Sequence, residues 1–111
     1  MITLESKTLN LQLRIKHADS FWKRFKGLLF YKKPIIEEGL LITPCNSIHM
    51  FFMRFPIDVV FLDESNNVVK VVPHIKPWRV VPPVRTAQSA LELPTGTIDE
   101  KNIHEGDTII F

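Results

Sequence analysis

Apolar and polar positions alternate strictly from Leu9 to Ile15, which predicts a half-buried strand. Asp19 and Ser20 then offer helix caps, and Phe21, Trp22, Phe25, Leu28 and Leu29 follow at helical spacing as one apolar face. This is the main helix that the pattern predicts. Lys23, Arg24 and Lys26 fall mostly on its other face. Gly27 sits inside the pattern, where it costs up to ~1 kcal/mol relative to alanine, so either another backbone packs closely there or the helix stops early. After a loop bracketed by Pro34 and Gly39, residues Gly39 to Thr43 read as a short buried strand stopped by Pro44. Ile48 to Phe52 fits either strand or helix. Pro56 to Leu62 reads as a strand buried on both faces and interrupted only by Asp58. Asp63 to Asn67 is turn chemistry that leads into a return strand, Val68 to Val72.

Pro73, Pro77, Pro82 and Pro83 punctuate the next stretch, which must be loop or irregular edge because proline cannot donate to a central ladder. Ser89 to Leu93 is a strand ending at Pro94, with Glu92 between Leu91 and Leu93 as simple strand alternation would place it. Thr95-Gly96-Thr97 turns into a short helix, Ile98 to Ile103. Gly106-Asp107 is a further turn, and Thr108 to Phe111 closes the chain as a strand. Short strands and hairpin-length connections predict a mainly β (α+β) fold. Its expected form is a small antiparallel barrel or roll, with one main helix packed on it and a short C-terminal helix.

Composition changes this picture little. At 111 residues the chain is expected to be a single domain, and 45% hydrophobic with 23% charged residues is an ordinary globular balance. A net charge of +2 is too weak to imply a nucleic-acid or membrane partner. The single cysteine, Cys45, rules out an intrachain disulfide and any zinc site built from several cysteines of one chain. The first residues lack a secretory pattern, and no apolar stretch approaches the ~18 residues of a membrane-spanning helix. The expectation is a cytoplasmic monomer, with an exported form if a signal peptide has been removed.

The chemistry concentrates in one run, Cys45 to Asp63, which mixes a thiol, a histidine, two methionines, an arginine and two acids with large apolar residues. Asp58 lies in an apolar strand, where an unpaired carboxylate is expensive to bury. It needs a partner, which Arg54 or Arg79 can supply. The structural reading is an ion pair or a carboxylate accepting backbone N–H groups; the functional one is a general base or ligand anchor. Cys45, His49 and Met53 are spaced by four and share a face in a regular strand or helix, and such ligands suit a soft metal like Cu(I). Their spacing matches no standard zinc or haem site, and methionine commonly packs against rings, so no metal or cofactor is expected. Cys45 with His49 as nucleophile and base lacks a third orienting group, and Ser47 and Ser89 lack the context of a serine hydrolase. Trp78 and Arg79, between prolines, form a stiff amphipathic protrusion that either rims a pocket or covers a sheet edge.

Six pieces in order carry a resemblance. They are Arg24 to Leu29, Ile48 to Arg54, Pro56 to Asp63, Pro77-Trp78-Arg79, Leu91 to Gly96, and Gly106-Asp107. Together the chain resembles the family known as Domain of Unknown Function 192, or uncharacterised protein family 0127, over nearly its whole length after Leu9. Asn66-Asn67 departs from it where a turn glycine is usual, and Met50 where a small polar residue is common. The resemblance implies a small mainly β domain of bacteria and archaea, some relatives of which look exported or lipid-anchored, and implies no activity.

The leading expectation is a non-enzymatic binding module. Its pocket would be lined by His49, Met53, Arg54 and Asp58 and rimmed by Trp78 and Arg79, for an unknown small polar or anionic ligand suited to the two arginines. The alternatives are an enzyme using Asp58 or His49 in acid–base chemistry, and an accessory structural or interaction domain.

Overall fold

A computed structural model of the chain describes residues 7–10, 14–18, 38–50 and 55–110; at 10, 14–18, 38 and 49 the description is of the backbone. Strands dominate the described residues, and the elements that follow are counted among these alone. In chain order they are β1 (Thr8–Asn10), β2 (Arg14–Ala18), β3 (Glu38–Ile42), β4 (Ile48–His49), β5 (Ile57–Leu62), β6 (Val68–Ile75), β7 (Val80–Val81), β8 (Ser89–Pro94) and β9 (Thr108–Ile110), with one short helix, α1 (Thr97–Lys101), between β8 and β9.

Five strands form the main sheet in the order β2-β3-β8-β5-β6. Every pairing in it is antiparallel except β2 with β3. Its two edges stay apart, so the sheet is an open roll rather than a closed barrel. A parallel pair cannot be joined by a tight hairpin; residues 19–37 between these two strands, and with them the main helix expected from Asp19 to Leu29, lie outside the described residues. The two ends of the alternating run Leu9 to Ile15, expected as one strand, contribute to two ladders, and residues 11–13 between them lie outside the described residues. β1 pairs parallel with β9, and β2 pairs with β3. Alternation reports which residues face inward, but it carries no mark for a change of pairing partner.

β5 is buried from end to end, as its continuous apolar run predicts for a central strand. The turn after it is built by Asp63, whose Oδ1 accepts the backbone N–H groups of Ser65 and Asn67, both at 2.9 Å, while Asn66 takes the left-handed φ of 64°. The backbone bond from Asn67 leads in holding the Asp63 carboxyl below its ordinary range. β6 runs on to Ile75, beyond the expected end at Val72, and carries Pro73 on the outermost strand of the sheet. Val59 faces Val72 while Ile57 faces Ile75, so β6 holds one extra residue there, a bulge at Pro73-His74 with His74 at φ 51°.

The sheet has an apolar layer on each face. On one side Val60, Leu62, Leu91 and Leu93 pack with Ile98 and Ile103 at α1 and with Ile109 of β9. On the other, Leu40, Ile42, Ile57, Val59, Phe61 and Ala90 pack under Ile48, Met50, Phe55 and Val81. That second cover is the antiparallel ribbon β4–β7, with Ile48 opposite Val81 and His49 opposite Val80. Among the described residues, no helix is long and apolar enough to cross a membrane.

Candidate functional site

Asp58 is fully buried, as its place in the apolar run demands. Its partners are backbone groups. Oδ1 accepts the N–H of His74 at 2.9 Å and Oδ2 accepts the N–H of Ile98 at 2.8 Å. One carboxylate therefore fixes the β6 bulge and caps the start of α1, whose own N-cap position, Gly96, offers no side chain. Of the two arginines expected as partners, Arg79 is exposed and Arg54 lies outside the described residues. Asp58 faces the α1 side of the sheet, since it stands opposite Leu93 of that layer. The bulge also turns the His74 ring outward. Its Nδ1 meets Thr95 Oγ1, and its Nε2 lies 3.9 Å from Asp99 Oδ2, in an exposed pair that contributes little.

On the opposite side stands the ribbon. Arg79 N–H donates to Lys76 O at 3.3 Å across a turn with Pro77 second and Trp78 third. Trp78 has φ 68°, the position that a turn of this kind normally gives to glycine or asparagine. Two bonds of 2.7 Å clamp the turn to Met50: Trp78 N–H donates to Met50 O, and Met50 N–H donates to Arg79 O. Met50 itself is buried, 1% exposed. The turn is thus anchored at its backbone while Trp78 is 58% exposed and Val80 56%, with Lys76 and Arg79 exposed beside them. Cys45, half-buried at the edge of this layer, donates its thiol to Ser47 O at 3.0 Å.

The structure therefore brings Trp78, Arg79 and the His49 backbone together on the ribbon, and sets Asp58 on the other face of the sheet. Met53, like Arg54, lies outside the described residues. Sequence reasoning passed over Glu92. Strand alternation suggested an ordinary outward polar position, yet Glu92 is 7% exposed. It stands between Leu40 of β3 and Val59 of β5, on the ribbon side. Among the described residues its Oε2 has no hydrogen-bond partner, and burial pushes its carboxyl up to about 8. Nothing local in the sequence separates it from a solvent-facing glutamate; the signal is that both flanking strands present apolar residues.

A third buried acid, Asp107, is fully satisfied. Oδ1 accepts Lys7 N–H at 3.0 Å; Oδ2 accepts Lys7 Nζ at 2.7 Å and His104 N–H at 2.8 Å. Burial raises its carboxyl, but the Lys7 ammonium and the two backbone groups outweigh burial and hold it below its ordinary value.

The family model of DUF192, described as Uncharacterized ACR, COG1430, matches residues 2–111. The chain belongs to the DUF192 family. A UPF0127 protein of Pyrococcus horikoshii is 42% identical over 98% of this chain and 96% of its own length. One of Thermococcus sibiricus is 43% identical over 86% of this chain, which spans only 64% of that relative. The same fold occurs in a crystallised protein of unknown function from Novosphingobium aromaticivorans, with a TM-score of 0.75 at 22% identity over 85% of this chain and 71% of that one. None of these names carries an activity to the DUF192 chain.

Proposed function

We propose that this DUF192 chain is a binding module, and that its recognition surface is the turn from Lys76 to Val80 on the β4–β7 ribbon. The observation that carries the reading is Trp78: a large apolar side chain, 58% exposed, on a left-handed residue whose backbone is clamped to the buried Met50. A non-glycine residue at positive φ costs on the order of 1 kcal/mol or more, and such strain persists where the surroundings impose it and function uses it. Anchoring the turn also lowers the entropy lost when it meets a ligand. Trp78 offers an aromatic face, and Arg79 with Lys76 offers positive charge, so the ligand that fits is a small anion with a planar apolar part. Asp58 supports the module and not a reaction, because both of its oxygens already accept buried or half-buried backbone N–H groups.

Benzoate is the simplest probe of that description. In ¹H–¹⁵N NMR, benzoate is expected to shift the Trp78 indole and Arg79 signals, while benzylamine, of similar size and opposite charge, leaves them in place. Equal shifts from both, or none from either at tens of millimolar (a generous range for so small a probe), would remove the reading.

A further inference from the structure

Three acceptors surround the Lys7 ammonium. Nζ donates to Asp107 Oδ2 at 2.7 Å and to the carbonyl of Asn102, the C-cap of α1, and it lies 3.2 Å from His104 Nδ1. The Lys7 backbone is fixed to the same turn. Its N–H donates to Asp107 Oδ1 at 3.0 Å, and its carbonyl accepts the Thr108 N–H at 2.8 Å. These bonds seat Lys7 directly before β1, whose three residues pair with β9. β1 has little else to hold it there: Thr8 is exposed, and Leu9 is half-buried against the α1-side layer.

The contact with His104 fixes a protonation state. An ammonium has hydrogens and no lone pair, so it only donates. The buried Asp107 carboxylate, 2.7 Å away, keeps that ammonium charged. His104 Nδ1 must therefore accept, which requires a neutral imidazole with its hydrogen on Nε2. A proton on Nδ1 turns this acceptor into a donor and sets a second positive charge 3.2 Å from the first. Asp107 bonds the backbone N–H of His104 and leaves the ring to Lys7. Among the described residues, the other charged groups nearby are the exposed Glu105 beside His104 and Lys101 in the last turn of α1. β6 and β9 bring the uncharged Val68, Thr108 and Ile109 to the turn.

We propose that Lys7, His104 and Asp107 form a pH-sensitive latch, which seats β1 on β9 while His104 is neutral and releases it when the imidazole takes a proton. Release uncovers the edge of β9 that β1 covers and withdraws Leu9 from the layer that holds Ile109. The latch stands apart from the Trp78 surface and does not rest on the binding reading.

The experiment is amide hydrogen exchange at pH 8 and pH 5, either side of the range in which histidines exchange a proton, corrected for the pH dependence of a free amide. The Thr108 N–H, bonded to the Lys7 carbonyl, reads the latch, and the amides of β5 read the whole fold. The expected result is that Thr108 loses protection about tenfold at pH 5, the worth of one hydrogen bond to a charged group, with no loss in β5. In His104→Asn, whose Oδ1 stands in place of Nδ1 and does not titrate, Thr108 should keep its protection at both pH values. Equal protection of Thr108 at the two pH values in the natural chain would overturn the latch. So would the same acid loss in His104→Asn, or a loss that β5 shares. The ¹⁵N signals of the His104 ring in the natural chain test the idea without any variant: at pH 8 the hydrogen is expected on Nε2, and a hydrogen on Nδ1 would contradict the latch outright.

Discussion

Asp58 and Glu92 are buried acids on adjacent central strands, facing opposite sides of one sheet. On the α1 side, Asp58 is closed: two backbone N–H groups from the bulge and the helix start occupy both of its oxygens. On the ribbon side, Glu92 is open: its Oε2 has no partner among the described residues, and burial alone moves its titration up to about 8. Burial is common to both and so does not mark function. What separates them is satisfaction. A carboxylate that fixes backbone geometry is part of the fold, whereas a protonated acid without a partner contributes nothing to the fold that leucine would not.

The largest expected effect comes from Glu92→Gln, which keeps the shape and removes the titration. Below about pH 4.5 the natural carboxyl is protonated both folded and unfolded, and the variant should differ little from the natural chain. As pH rises toward 8, the unfolded chain ionises while the folded one keeps its proton, so the natural protein loses stability and the variant does not. The gap should reach on the order of 4 kcal/mol at pH 8, read by urea denaturation at each pH. A flat difference across that range would mean that Glu92 has a partner after all. Asp58→Ala comes next, with an expected loss of about 3 kcal/mol from two orphaned donors. Asp58→Asn, which keeps one acceptor oxygen, should lose about half as much. A loss below about 0.5 kcal/mol in Asp58→Ala would erase the contrast from the other side.

Much of the α1 side was legible in the sequence, and much of the ribbon side was not. Ile57 to Leu62 announces a central strand, and Asp63 to Asn67 its turn, because both depend on side chains close in sequence. The burial of Asp58 was equally plain. Its partners were not, since the His74 and Ile98 N–H groups reach it from a bulge and a helix start remote along the chain, and backbone donors leave no trace in residue types. Glu92 stayed hidden because an acid between two leucines looks the same whether its own face meets water or a second layer. Only the ribbon, a two-residue pairing of β4 with β7 beyond periodicity arguments, decides that. The exposure of Trp78 was readable from the flanking prolines; its left-handed backbone was not, because tryptophan is an unusual occupant of such a turn position.

Two smaller effects refine the contrast. Asp107→Asn should cost about 2 kcal/mol at pH 7 by weakening bonds to Lys7 and His104. Because the folded carboxyl sits below its ordinary 3.8, that contribution is present above the ordinary value and fades as pH falls through the lower folded one. Denaturation curves of the two proteins should therefore converge in acid; a constant gap would assign the loss to packing. Trp78→Gly should change stability least, within about 1 kcal/mol and toward stabilisation, since glycine adopts a φ of 68° without strain. The same change should abolish the benzoate shift of Arg79. A large thermal destabilisation would make Trp78 a core residue and not a rim.

The contrast between the two faces turns on Glu92, and its titration can be watched directly. The ¹³C signal of the Glu92 side-chain carboxyl, assigned through Glu92→Gln, should hold its protonated position through pH 6 and move with a midpoint near 8. A midpoint near the ordinary 4.5 would show an ionised, partnered glutamate, and Glu92 would then belong with Asp58 as part of the fold.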